Sequence, residues 1–330
     1  MSASEVQRQH AAVTIRDFQP EDYPAAVEIG NALYPEHPTT VERERFDWEH
    51  FDTRKYVRRR YLAVDPSGAV VGDASLSHSP SSFHAQRFWV WIGVHPKWQR
   101  KGVGTALYAH LMVEFRGLDA IALRTSTRET MAETIAWLHR RGFKELSRGW
   151  ESRLDLPSFD LAGFAEYWAL PPGIAIVTFA EELAKDPDAV RTLFELDCDI
   201  SPDEPRIDPF TRPDFELWSE RLLKSPWFVP EAIFIAKDGD RYVGLSELFR
   251  NDAMPEVVNT GFTGVRREYR GRGIAWALKL RALDWATRHG YREVRTWNNT
   301  LNAPMLGINV KLGFVKQPVW ITFGKDLAGA

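Results

Sequence analysis

Hydrophobic and polar positions along this chain alternate in short runs, and the same succession of patterns occurs twice. A first strand, Val13–Arg16, has a counterpart at Ile174–Thr178. Each is followed by a helical region and then by a hairpin. The hairpins read YLAVDPSGAVVGDASL and IFIAKDGDRYVGLSEL, with Pro-Ser-Gly and Asp-Gly-Asp marking the turns. A further strand, FWVWIGV or NTGFTGV, runs into a glycine-containing loop. Beyond the loop, Val103, Ala106, Leu107 and Leu111 recur at helical spacing, as do Ile274, Ala277, Leu278, Ala282 and Trp285. A fifth strand (Ala120–Thr125; Glu293–Trp297), a last helix and a final strand complete each unit.

The repeat keeps one register over a long stretch. At an offset of 171, Val94 falls on Val265, Gly102 on Gly273, Arg124-Thr125 on Arg295-Thr296, Gly142-Phe143 on Gly313-Phe314 and Asp155-Leu156 on Asp326-Leu327. Gly72 pairs with Gly244 at an offset of 172, whereas Val13 pairs with Ile174 at 161. The second copy is therefore longer by 11 residues between its first and second strands. Self-similarity of this kind marks duplication. The order of elements predicts the α/β class: two tandem domains, each a mixed, mostly antiparallel twisted sheet flanked by helices. The expected division is a flexible N-terminus over 1–11, domains over 12–156 and 174–330, and between them a helical linker over 157–173, PSFDLAGFAEYWALPPG.

Composition narrows the classes. A chain of 330 residues, 44% hydrophobic and 26% charged, has material for two cores. A net charge of -3 gives no global attraction to nucleic acid or anionic lipid. The basic run Arg58-Arg59-Arg60 reads first as a solvated face. Cys198 is the only cysteine, which excludes an intrachain disulfide and suits a reducing cytoplasm. The sequence shows no signal core and no long apolar run, so neither secretion nor membrane spanning is expected. A monomer or homodimer is expected, with no metal.

The candidate chemistry lies in VHPKWQRKGVGTAL and VRREYRGRGIAWAL. In each, a strand ends in valine, a glycine loop follows, and a helix begins. Glycines let successive N–H groups turn inward, and the helix N-terminus adds unpaired donors and a positive dipole end. Gln99, Arg100, Lys101, Gly102, Val103 and Gly104, and in the second copy Arg270, Gly271, Arg272, Gly273, Ile274 and Ala275, thus form candidate diphosphate sites. The spacing fits neither a dinucleotide fingerprint nor an ATP-type phosphate loop.

This pattern, V-x-P-x-x-[QR]-x-x-G-x-[GA], resembles the coenzyme A loop of the GNAT superfamily of N-acetyltransferases. The first copy matches fully, and the second has Arg267 where proline is usual. The resemblance implies two tandem GNAT-like domains that use acetyl-CoA as co-substrate. It also implies that a main-chain N–H at Val94 or Val265 polarises the acetyl carbonyl. The tandem layout is similar to that of the mycothiol synthases, although no motif ties this chain to their substrate.

The family's last helix carries an asparagine that contacts CoA and a tyrosine that protonates the departing thiolate. The second copy has Asn302 and Asn309 at those places, whereas the first has Met131 and Leu138. The resemblance therefore puts Asn302 on CoA and Asn309 near the acetyl group; helix capping is the competing role for Asn302. It favours the C-terminal domain as catalyst and leaves the N-terminal one degenerate, for CoA binding or structure. Glu247 and Glu256 are candidate bases. The acidic and aromatic segment with Asp197, Asp199, Asp203, Glu204, Asp208, Phe210, Phe215, Trp218, Trp227 and Phe228 suggests a pocket for a small cationic amine. Two other readings stay open at this level: a catalytically inactive acyl-CoA-binding regulator, and an acetyltransferase acting on a protein amine.

Overall fold

In the computed structural model, which describes residues 12–327, the sequence repeat is a repeat of elements. The first copy runs β1 (Thr14–Asp17), α1 (Tyr23–Leu33), α2 (Val41–Glu49), β2 (Arg58–Val64), β3 (Val70–Ser77), β4 (Arg87–Val94), α3 (Val103–Gly117), β5 (Ala122–Arg128), α4 (Ala132–Arg140) and β6 (Lys144–Asp155). The second runs β7 (Ile174–Thr178), α5 (Phe179–Leu183), α6 (Ala189–Ile200), α7 (Phe215–Lys224), β8 (Ile233–Asp238), β9 (Arg241–Arg250), β10 (Val257–Val265), α8 (Ile274–Arg288), β11 (Glu293–Asn299), α9 (Ala303–Lys311) and β12 (Val315–Asp326). From the post-loop helix onward, α8, β11, α9 and β12 each begin 171 residues after α3, β5, α4 and β6. The longer stretch after β7 folds as three helices where the first copy has two. The N-terminus expected to be flexible, 1–11, lies outside the described residues.

Two compact units form, and they do not follow chain order. Among the described residues one comprises 12–125, 138–145 and 323–327, the other 126–137 and 146–322. The second unit thus takes in most of β6, the closing strand of the first copy. There β6 pairs antiparallel with β11 from Glu293↔Asp155 to Asn299↔Gly149. The expected boundaries at 156 and 174 mark the repeat, whereas each compact unit includes a piece from the other half of the chain.

In the first unit β1 to β4 are antiparallel neighbours, and β5 joins β4 in parallel over Arg87–Trp89. Of its basic run only Arg59 is exposed. Arg60 is buried, its Nε donating to Asp73 Oδ1 at 2.9 Å and a terminal nitrogen to Asp73 Oδ2 at 2.8 Å. The guanidinium also reaches Glu44 and lies over the Phe18 ring at 4.7 Å. Arg59 pairs with Glu114, and Arg58 stacks on Trp48 at 4.2 Å.

In the second unit β7 to β10 are antiparallel, and β11 joins β10 in parallel over Val257–Asn259 only. Helix α8 covers this sheet with Ile274, Leu278, Ala282 and Leu283 in the main core. The linker forms 3-10 turns, Leu156–Ser158 and Leu161–Trp168, rather than an α-helix, and Tyr167 stacks on Trp276 of α8 with centroids 4.3 Å apart. Among the described residues no helix is long and apolar enough to cross a membrane.

Candidate active site

Strand β10 ends the sheet neighbourhood that matters. Because its pairing with β11 stops at Asn259, the two strands part toward Val265 and open a cleft. Arg266 N–H donates to the Val243 carbonyl at 2.9 Å, so residue 266 is a bonded position against β9. Antiparallel strands alternate, so Val265 turns its own N–H and C=O away from β9, into the opening. Its carbonyl accepts from Arg270 Nε at 2.9 Å, and its N–H faces the same opening. Val94 has the same setting: His95 N–H bonds Val71 at 3.0 Å, and Gln99 Nε2 bonds the Val94 carbonyl at 3.1 Å. Gln99 and Arg270 are therefore braces that fold each loop back onto its strand.

The loops repeat one geometry. Gly102 (φ 90°) and Gly273 (φ 82°) are left-handed at the helix start, and the position two before them is left-handed as well, Arg100 at 64° and Gly271 at 73°. A Cβ on Gly271 or Gly273 would meet nothing within 4 Å, so the inner wall of the second loop is open backbone. Lys101 lies over Trp98 at 4.8 Å and Arg272 over Tyr269 at 5.5 Å, fixing a cation beside each loop. Val103 and Ile274 anchor the helix starts in the core. Gly104 and Ala275 follow them, both partly exposed. The first N–H groups of a helix lack intrahelical acceptors, and a diphosphate supplies them.

Upstream of Val265 the two copies diverge. Pairing of β9 with β10 shifts by one residue between Thr260 and Thr263, a bulge. Inside it Phe262 N–H donates to Glu247 Oε2 at 2.9 Å. A Cβ on Gly261 would run into the Phe249 ring and stand 2.8 Å from that oxygen, so a larger residue there would displace those side chains. Burial, with the negative charge of Asp197 added, pushes the Glu247 carboxyl up to about 8; the Phe262 N–H pulls the other way. Asp197 on α6 accepts from Ser201 Oγ at 3.1 Å and is itself raised by burial. In the first copy β4 pairs with β3 without a shift, Ser75 occupies the place of Glu247, and Val90 that of Gly261. Glu256, the other candidate base, is exposed at the far end of β10.

Asn302 caps α9, its side chain accepting from Met305 N–H at 3.4 Å. Asn309 is buried and donates to Asn298 Oδ1 at 2.6 Å. Asn298, which the sequence reading missed, sits on β11 with nothing in its local pattern to distinguish it.

Three acids of the acidic segment are tied up in ion pairs rather than left to attract an amine. Asp199 is paired with Arg266, and Asp203 with both Arg267 and Arg270. Arg267 foremost, then Arg270, holds the Asp203 carboxyl down to about 2. Glu204 pairs with Arg206. The aromatics are mostly core: Trp227 is buried, and Trp218 and Phe228 pack on the cluster around Phe179 and Leu193. Phe215 packs on Phe194, and Phe210 lies under Arg206. Cys198 is no nucleophile, because burial pushes its thiol up to about 11.

A parted strand pair, a main-chain donor at the parting and an anion loop opening a helix define an acetyl-CoA-dependent N-acetyltransferase. The chain belongs to the acetyltransferase (GNAT) family, whose model matches it twice, over residues 15–143 and 190–314. The family's co-substrate is acetyl-CoA, and the open second loop fits its diphosphate. Among relatives, a mycothiol acetyltransferase of Pseudarthrobacter chlorophenolicus is 25% identical over 238 residues, covering 71% of this chain and 68% of the relative. One of Actinosynnema mirum is 29% identical over 227 residues, covering 68% and 70%. The fold is shared with a tandem GNAT protein from the clavulanic acid biosynthesis pathway, with a TM-score of 0.75 at 22% identity over 97% of this chain and 100% of that one. A GCN5-related N-acetyltransferase from Sphaerobacter thermophilus has a TM-score of 0.70 at 20% identity over 97% and 96%.

Proposed function

We propose that the C-terminal repeat transfers the acetyl group of acetyl-CoA to a primary amine of a small molecule by direct attack, and that the N-terminal repeat has lost this chemistry. The observation that carries this reading is Glu247 held in the β10 bulge, against Ser75 and an unbroken β4 in the first copy. Acetyl-CoA supplies an acyl group activated as a thioester. Glu247 takes the proton from the amine nitrogen as the C–N bond forms, and the Val265 N–H donates to the carbonyl oxygen as it gains charge. The C–S bond breaks with its electron pair on sulfur, and the thiolate takes a proton from water. A thiol of pKa ~8.5 leaves without a tyrosine to protonate it.

Asp197 beside Glu247 gives the pocket its negative character, in place of the paired Asp199 and Asp203. The relatives named for mycothiol support a small-molecule acceptor. A buried single thiol suits a cytoplasmic setting. Thiol release from acetyl-CoA across a panel of primary amines tests the reading. At least one small amine should be turned over by the wild type and not by Glu247→Gln. Turnover of lysine peptides alone, or of none, would overturn it.

A further inference from the structure

Resting on the reading that the C-terminal repeat is the catalyst, we propose that Trp297 is a specificity-determining residue for the acceptor. Its indole receives a flat, apolar-faced ring at the end of the acceptor away from the amine. The strand register places it. Phe249 of β9 lies opposite Asn259 of β10, and Asn259 lies beside Arg295 of β11. Paired residues share a face of a sheet, as do residues two apart along a strand. Glu247, Phe249, Asn259, Arg295 and Trp297 therefore project from one side, while Val258 and Val294 project from the other into the core under α8. Strand β9 runs against β10 and β11 runs with it, so Glu247 and Trp297 both stand one pleat beyond the Phe249–Asn259–Arg295 row, toward Val265. They are level with each other across the bulged part of β10. Two strand spacings separate them, about 10 Å, and the parting of β10 from β11 adds to that.

Trp297 is 56% exposed, whereas Val294, Arg295, Thr296 and Asn298 around it on β11 are all buried. A large apolar ring is thus in solvent on the face that carries the proposed base. The ring is also braced. Trp320 of β12 meets it edge to face, with centroids 5.9 Å apart and planes at 61°, and Arg128 lies over Trp320 at 5.3 Å. Strand β6 runs between β11 and β12, and its Glu151, opposite Trp297, is buried and accepts from Arg153 Nε at 2.6 Å. A braced indole gives up little freedom when another ring stacks on it. A cation is the other guest of an indole face. Here Glu151 is already bonded to Arg153, and Arg128 brings positive charge to the tryptophan pair, so the platform favours a neutral ring. At the offset of 171 the first copy has Ser126 in place of Trp297, so the platform goes with the repeat that holds Glu247.

The test uses phenylhexylamine, whose ring reaches Trp297 from an amine at Glu247, against hexylamine, diaminohexane and benzylamine, whose ring is too close to its amine. In the wild type the KM for phenylhexylamine should lie up to about tenfold below that for hexylamine, the scale of one aromatic contact. Trp297→Ala should bring the two together and leave the KM values for acetyl-CoA and benzylamine where they were. Trp297→Phe should retain part of the preference, and Trp320→Ala should weaken it by loosening the ring. Circular dichroism checks folding, and Trp297→Gln replaces Trp297→Ala if that variant does not fold. Calorimetric binding of the same amines to Glu247→Gln with coenzyme A bound should give the same ranking, and Trp297→Ala in that background should lose it. This arm reads the platform without turnover, so it decides the claim for Trp297 even if the catalytic reading fails. Equal binding of phenylhexylamine and hexylamine, a preference that survives in Trp297→Ala, or tighter binding of diaminohexane than of either would overturn the assignment.

Discussion

Phe262 and Glu247 are bound to each other across a strand bulge, the Phe262 N–H donating to Glu247 Oε2 at 2.9 Å. The bond ties the backbone distortion in β10 to the proposed base and fixes one oxygen of its carboxylate. The first copy has neither the shifted register nor the carboxylate.

With its carboxyl pushed up to about 8, Glu247 gains its base form as pH rises through that value. The kcat/KM of the wild type should therefore climb with pH and level off above about 8. Titration of the acceptor amine, near ~10 for a free alkylamine, gives a separate limb. Glu247→Gln should lose the lower limb and ~10²–10⁴-fold in kcat. A limb near 8 that persists in the variant belongs to another group.

The same shift has a consequence for stability, with a definite sign. The folded carboxyl titrates above its ordinary 4.5, so its contribution is fully present below that value and is lost as pH rises through about 8. Glu247→Gln keeps an acceptor for the Phe262 N–H and cannot ionise. Its Tm relative to wild type should rise between pH 5 and 8 and stay level above. A difference independent of pH would show that the carboxyl is not shifted.

Asp203 neutralises two arginines of the coenzyme loop rather than greeting the amine. Asp203→Asn should leave the KM for the amine unchanged. The freed Arg267 and Arg270 should lower the KM for acetyl-CoA by up to about fivefold at low salt, the scale of an exposed ion pair. The gain should fade as ionic strength rises. A raised amine KM would restore Asp203 as part of the acceptor pocket.

Much of this was legible in the sequence. The offset of 171 held through four successive elements, because glycines and core positions tolerate little drift. The loops at Gly102 and Gly273 followed from strand-glycine-helix chemistry, and the place of Val265 from the resemblance. A one-residue shift leaves no periodic trace, so only the resemblance, in which the strand before the loop splays at a bulge, announced the one in β10; it did not show that β4 lacks one, although Gly261 where the first copy has Val90 was a visible sign. Nor could the sequence show that Asp199 and Asp203 are paired with arginines more than 60 residues away. The placement of β6 beside β11 depends on which strand edge is open in three dimensions, and periodicity is silent on edges.

In the first copy Arg60 and Asp73 occupy the places held by Ile233 and Leu245 in the second, both fully buried. Removing one partner of a buried ion pair costs about 3–5 kcal/mol, whereas an apolar pair of similar volume can be neutral. Asp73→Ala should therefore destabilise the first unit on that scale, and Arg60→Ile with Asp73→Leu should recover most of the loss. Denaturant unfolding of the three variants checks this. Equal loss in the double variant would mean that the ion pair itself stabilises the unit.

The central claim, that acetyl transfer belongs to the C-terminal repeat, is tested most directly by steady-state thiol release from two matched variants, Gly273→Glu and Gly102→Glu. Each puts a negative side chain on a left-handed residue at the mouth of its loop, where it strains the backbone and repels a diphosphate. Circular dichroism serves as the folding control. Gly273→Glu should abolish turnover while the protein stays folded, and Gly102→Glu should retain turnover. Loss of activity in Gly102→Glu with Gly273→Glu still active would contradict the account and place the chemistry in the N-terminal repeat.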